Sequence, residues 1–338
     1  MAAEDLEVLL VERDLAIARV EANTSAGIRK DLSALEMAIL DVLKSVDPSE
    51  PTRRGDQFNR VTKVGAEIQV LTRGFYRNLN ARFGTLQAGL IADESARVVA
   101  MSQESGLDMR RTVSQKAARQ MVDQRRVLID GAPARAHWNR QERHMVENVT
   151  TTLRRQVVAD ASLTQMVRSL RGEQALGFSN GMMRTYERFA KTTSMTGIQA
   201  ATNISRFETY QANSDTVKMV QAINPLDSKT SPICQARAGR VWSMGDGRPL
   251  GHGVERFPGP PPWHLGCRTT ILPLGRRDTP VRGQTFGGLL DSMPENRQKA
   301  MLGPGKFELW RNGDISMSDM IDQSGRPLTL NQLRERST

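Results

Sequence analysis

Between residues 224 and 273 the character of the chain changes, and that change limits the folds open to it. The stretch reads NPLDSKTSPICQARAGRVWSMGDGRPLGHGVERFPGPPPWHLGCRTTILP. It carries both cysteines, two of the four histidines and two of the four tryptophans. Prolines, glycines and aromatics replace the Ala/Arg/Gln/Glu-rich text that precedes it. No long helix can pass through, because proline removes a backbone donor and glycine lowers helical propensity. Residues 240–243 (Arg-Val-Trp-Ser) and 269–272 (Thr-Thr-Ile-Leu) read as strands of a small sheet. Pro260-Pro261-Pro262 reads as a stiff extended spacer that holds Trp263 and His264 against the neighbouring fold.

Upstream, apolar residues recur at helical intervals. Leu6, Leu9, Leu10, Leu15 and Ile17 form one run, and Ile28, Leu32, Leu35, Ile39 and Leu43 a cleaner stripe. Residues 23–27 are a candidate break between them. Pro48 and Pro51 end this first segment. Residues 56–130 again read as mostly helix, weakened at Gly84 and Gly89, and Gly131-Ala132-Pro133 breaks the chain. Trp138 reads as a packing anchor. Val149, Leu153 and Val157 face one way. Residues 160–163 suggest a helix restart, with Gly172 as its stop. Residues 180–222 read as a last long helix or pair of helices, and Arg184, Arg206 and Glu208 in it as ordinary surface ion pairs. The expected fold is mainly α, with an elongated helical N-terminal region and a small α+β, loop-rich C-terminal domain. The expected divisions are 1–50, 51–222 and 223–338.

The totals fit this picture. Hydrophobic residues make up 38% and aromatics 5% of 338 residues, against an average of about 45–50% apolar. Elongated helices or partner-covered surfaces suit that composition better than one dense core. No stretch approaches the roughly 18 apolar residues of a membrane span. The first residues are acidic and helical, where a secretory signal is basic and then apolar. The formal charge of +10 favours phosphate backbones, acidic surfaces or anionic lipid. Arg110, Arg111, Lys116, Arg119, Arg125 and Arg126 concentrate that charge. They are either a solvated helix face or contacts to phosphate or an acidic partner. No aromatics interleave with them as in a single-strand groove, and no helix-turn-helix pattern or phosphate loop occurs.

Cys234, His264 and Cys267 form the main chemical constellation. His264 and Cys267 are close enough in sequence to share one metal, and Cys234 offers a third ligand. Thiolate and imidazole suit zinc, whose structural sites take four ligands. Asp227, His252 and Asp246 are candidates for the fourth. The same residues also read as two buried or paired thiols with His264 hydrogen-bonded in a turn. A cysteine nucleophile would need an activated thiolate and an oriented base. Arg268 reads as a fork that pairs Asp227 or backbone carbonyls, with Trp263 as a second support of the knot.

Asp227, Thr230, Cys234, Gly239, Pro261-Pro262, His264 and Cys267-Arg268 together form a pattern. It resembles that of the phage head morphogenesis family, the minor capsid proteins that include the F protein of phage Mu and the gene 7 product of phage SPP1. The family's last Cys is replaced here by Thr269. Its additional early Cys is absent, with Thr230 or Ser231 near its place. Gly303-Pro304-Gly305, then Trp310-Arg311-Asn312-Gly313-Asp314-Ile315, then Gly325-Arg326-Pro327-Leu328-Thr329-Leu330 resemble the family's closing segment. The resemblance spans residues 180–330. It implies a few-copy virion component at the portal vertex or capsid interior, present in host cytoplasm during assembly. Portal protein, major capsid protein and packaged double-stranded DNA are the implied partners. It implies assistance in head assembly or genome ejection, and no enzymatic activity. Two rival readings remain at this point: a metal-dependent nuclease or hydrolase with Asp227 or Glu255 as base, and a basic DNA-binding module.

Overall fold

The structure, a computed structural model, describes residues 2–44, 54–159, 161–224, 230–253, 255–281, 290–291, 294–320 and 328–336. Pro48, Pro51, Asp227 and Gly325-Arg326-Pro327 lie outside these. The protein is mainly α, with a small sheet region in its C-terminal part, as expected. Helix α1 spans Ala2–Lys44 and α2 spans Arg54–Glu104. Then come α3 (Gln115–Asp123), α4 (Ala134–Val158), α5 (Leu163–Arg171) and α6 (Met182–Ala212). Among the described residues no helix is long and apolar enough to cross a membrane.

The apolar stripes explain the long helices. Leu6, Leu10 and Ile17, then Ile28, Leu32, Leu35, Ile39 and Leu43, are all buried, so α1 runs unbroken through residues 23–27. The glycines of α2 do not interrupt it either. Burial of Ile68, Tyr76, Leu79, Phe83, Ile91 and Val98 outweighs the roughly 1 kcal/mol that each glycine costs relative to alanine. Ser162 caps α5 in a reciprocal capping box with Gln165, and Gly172 closes it at φ 94°. Residues 128–133 form a two-stranded hairpin, β1 (Leu128–Ile129) and β2 (Ala132–Pro133). Its turn is Asp130-Gly131, both at positive φ, which suits a tight primed turn.

The chain divides into two compact units. One comprises residues 18–87 and 125–197. Its centre includes Trp138, fully buried and edge-on to Phe83 at 5.6 Å, so Trp138 is a packing anchor. Gly197 of α6 lies so close to Phe83 and Ile129 that a Cβ there would come within 2.8 Å of the Phe83 ring.

The other unit comprises residues 1–17, 88–124 and 198–338. It holds an antiparallel sheet of β3 (Met219–Ile223), β4 (Val241–Ser243), β5 (Pro249–Leu250) and β6 (Thr270–Leu274), in the order β5-β4-β3-β6. Residues 219–222 therefore belong to a central strand and not to a final helix. Met219 pairs with Ser243 on one side and Leu274 on the other. Leu6, Leu10, Val98, Met109, Tyr210, Trp242 and Ile271 share the core against this sheet. A second cluster gathers Leu290, Ile315, Met320, Leu328 and Leu333 around the later short helices, α8 (Glu295–Leu302), α9 (Pro304–Arg311) and α10 (Leu330–Arg336).

Arg206 corrects the expectation of surface charge. Its side chain is fully buried. It donates to the equally buried Glu94 at 2.6 Å, to Asp14 at 2.9 Å and to the Thr270 hydroxyl. Glu94 also accepts from Arg13 at 2.7 Å. A charge can be buried this way only when each group is paired and hydrogen-bonded. Arg184, by contrast, makes an exposed pair with Glu187 one turn away, as expected.

Candidate metal centre

The end of the sheet sets up the site. Ile223 of β3 pairs with Thr270 of β6, so the next residue of one strand, Asn224, and the preceding residue of the other, Thr269, become neighbours. Asn224 donates to the Thr269 hydroxyl at 2.7 Å, and Asn203 of α6 donates to the Thr269 carbonyl at 3.0 Å. Helix α7 (Pro232–Arg237) then begins with Ser231 as its N-cap and proline at its first position, a pairing that satisfies an orphan amide and presets φ. The Ser231 oxygen accepts from the Cys234 amide at 3.4 Å. This first turn directs Cys234 inward, where it is 3% exposed. His264 and Cys267 share a turn closed by the Cys267 amide donating to the His264 carbonyl, with Gly266 at φ 76°.

Three ligand atoms meet here. The sulfurs of Cys234 and Cys267 are 3.6 Å apart, and His264 Nε2 is 3.1 Å from Cys234 Sγ. All three lie within 4.8 Å of one another and could hold a metal ion. Two thiolates on one tetrahedral zinc would sit about 3.8 Å apart, given zinc–sulfur bonds near 2.3 Å. The separation is far above the roughly 2.05 Å of a disulfide, and both thiols are free. His264 Nδ1 lies 2.9 Å from the Leu265 carbonyl. A carbonyl only accepts, so Nδ1 carries the proton and Nε2 presents its lone pair to the sulfurs, as a metal-ligating histidine requires.

Hydroxyls complete the surroundings. Thr269 donates to Cys234 Sγ at 3.1 Å, and the Ser231 oxygen is 2.7 Å from His264 Nε2. The hydrogen bond from Cys234 holds the Cys267 thiol well below its usual range, helped by Thr269 and opposed by burial. The same contact, with burial, pushes the Cys234 thiol up. One negative charge is thus readily held by the pair, and a cation is needed for two.

Behind the cluster, Arg237 of α7 lies over the Trp263 ring at 4.6 Å and donates to Glu255 at 2.7 Å. Trp263 also contacts Trp242 edge-on and donates to the Gly259 carbonyl at 3.0 Å. It thereby anchors the segment that carries His264. Arg268 is exposed and lines the small cavity at the cluster, together with Asn224, Thr230, Ser231, Cys234, His264, Gly266 and Thr269. Asp227 lies outside the described residues. His252 is engaged with the Val241 carbonyl at 2.7 Å and packs on Trp242. Among the described residues neither His252 nor Asp246 joins the cluster. Asn224, which the sequence did not single out, has only its place directly before Pro225 as a signal.

The basic segment is mostly exposed and partly compensated. Arg110 donates to Asp108 at 2.6 Å, and Arg111 to Asp215 at 2.7 Å. Lys116, Arg119, Arg125 and Arg126 are exposed. Residues 110–119 fall in the sheet-bearing unit, whereas Arg125 and Arg126 fall in the other. Residues 107–114 are not helical, so the charge does not form one continuous helix face.

No protein-family model, curated protein or solved structure matches this chain.

Proposed function

We propose that the chain is a minor capsid protein of the head-morphogenesis type in a tailed phage. Its place would be the portal vertex or capsid interior, after assembly in the host cytoplasm. One observation carries the reading. Ser231, Cys234, His264 and Thr269, scattered positions of the motif, converge on a single small cavity, and the Cys267 sulfur lies 3.6 Å from that of Cys234. They do so even where hydroxyls stand in for the family's cysteines. Zinc at Cys234, His264 and Cys267 would staple a loop-rich region, as structural zinc does in small folds. The partners of this reading are the portal protein, the major capsid protein and packaged double-stranded DNA. It assigns no catalysis: of the two carboxylates a hydrolase could use as base, Glu255 is committed to Arg237 and Asp227 lies outside the described residues.

The test is co-expression with the portal and major capsid proteins of one phage genome. Assembled heads are separated by gradient sedimentation and their copies counted by quantitative mass spectrometry. A few copies per head are expected. A chain that stays entirely in the soluble fraction overturns the reading. Metal analysis of the purified chain tests the staple separately, with one zinc per chain expected.

A further inference from the structure

Resting on that zinc reading, we infer that the fourth coordination position belongs to a solvent oxygen retained by Asn224. The described cluster offers two sulfurs and one nitrogen, and tetrahedral zinc takes one donor more. Asn224 is 5% exposed and lines the cavity. Its amide nitrogen donates to the Thr269 hydroxyl and, at 3.4 Å, to the Cys234 carbonyl. That carbonyl can only accept, which fixes the amide's orientation. Its oxygen, Oδ1, is buried and finds no protein donor among the described residues. A buried acceptor left unpaired is costly, so such groups are nearly always matched.

The cavity measures about 10 Å³, close to the room one water needs. A water on zinc is a strong donor, and Oδ1 is an acceptor that lacks one. The Ser231 oxygen, 2.7 Å from His264 Nε2, is a second polar neighbour for the same water. The centre is then open at one position, unlike structural sites closed by four protein ligands. Its solvent ligand exchanges with small anions, and Asn224 acts as a positioning residue for it.

The experiment uses the full chain in two forms. X-ray absorption at the zinc edge counts donors, with two sulfur, one nitrogen and one oxygen expected. The cobalt(II)-substituted chain is titrated with azide and followed by its visible d–d and thiolate charge-transfer bands, which are expected to shift. Asn224→Ala is expected to keep the metal and bind azide roughly twofold to tenfold more tightly, because the competing water loses one hydrogen bond. Bound metal with four protein donors and no azide response overturns the inference and leaves the zinc staple standing. Unchanged azide affinity in Asn224→Ala overturns the role of Asn224. A chain that binds neither zinc nor cobalt overturns the staple itself.

Discussion

Replacing Glu94 by leucine removes the carboxylate at the centre of the buried charge network and leaves similar volume. Arg206 is 0% exposed on its side chain, as is Glu94, so no solvent can replace the lost partner. Breaking a buried pair of this kind costs about 3–5 kcal/mol, mostly because one charge is stranded. Arg206 keeps Asp14 at 2.9 Å, and Arg13 keeps Asp93 at 2.8 Å. The expected loss for Glu94→Leu is therefore near the lower end, ~3 kcal/mol. The exposed pair of Arg110 and Asp108 supplies a control, and Asp108→Asn is expected to leave stability nearly unchanged. The double variant Glu94→Leu with Arg206→Met strands no charge between these two positions, so it is expected to be more stable than Glu94→Leu alone. Urea unfolding gives each value from midpoint and slope. Because the chain has two compact units, the measurement is made in a Trp138→Phe background. The remaining tryptophans, Trp242, Trp263 and Trp310, then report on the sheet-bearing unit alone. A loss below about 1 kcal/mol for Glu94→Leu, or a double variant less stable than Glu94→Leu alone, would refute the reasoning.

The pH dependence of the same network has a definite sign. Burial raises the Asp14 carboxyl above its usual value, more than Arg206 lowers it. The stabilising contribution of Asp14 is therefore present below its unfolded value and lost as pH rises through its folded value. The stability of the wild type relative to Asp14→Asn should fall across that window in paired urea titrations; a rise would contradict it. Gly197→Ala is expected to destabilise by about 1–3 kcal/mol, since its Cβ would meet Phe83 at 2.8 Å and overpack a filled contact. Thermal unfolding followed through Trp138 checks this, and an unchanged midpoint would mean that the Phe83 ring simply moves aside. Neutralising Arg110, Arg111, Arg119 and Arg125 together is expected to leave the salt dependence of DNA binding nearly unchanged, because Asp108 and Asp215 already compensate the first two. A marked drop in the slope of affinity against salt would make this segment a phosphate contact.

The helices were readable because burial repeats with the helical period. Ile28, Leu32, Leu35, Ile39 and Leu43 are apolar at that spacing and all are buried. The central strand was not readable for the complementary reason. Met219–Ile223 is almost wholly buried, so it lacks the alternation that marks a half-exposed strand, and it follows α6 closely enough to read as its continuation. Arg206 carries no periodic signal at all. A single arginine looks the same in text whether it faces water or Glu94.

The candidate centre divides in the same way. Cys234, His264 and Cys267 stand out because such residues are scarce in this chain. Ser231, Thr269 and Asn224 belong to common types, and only the pairing of Ile223 with Thr270 and the cap of α7 bring them to the sulfurs. The rare residues thus name the kind of chemistry a site can hold, and the common ones determine its coordination. A cysteine at position 231 or 269 would supply a third thiolate and close such a centre with four protein donors. With hydroxyls there, the sulfurs still gather, Thr269 donates to Cys234 Sγ at 3.1 Å, and an oxygen donor has a place beside Asn224. Thr269→Cys is the substitution that separates the two arrangements. A zinc-edge spectrum with three sulfurs would mean that residue 269 lies within reach of the metal. Two sulfurs would confine Thr269 to the hydrogen bond it makes now.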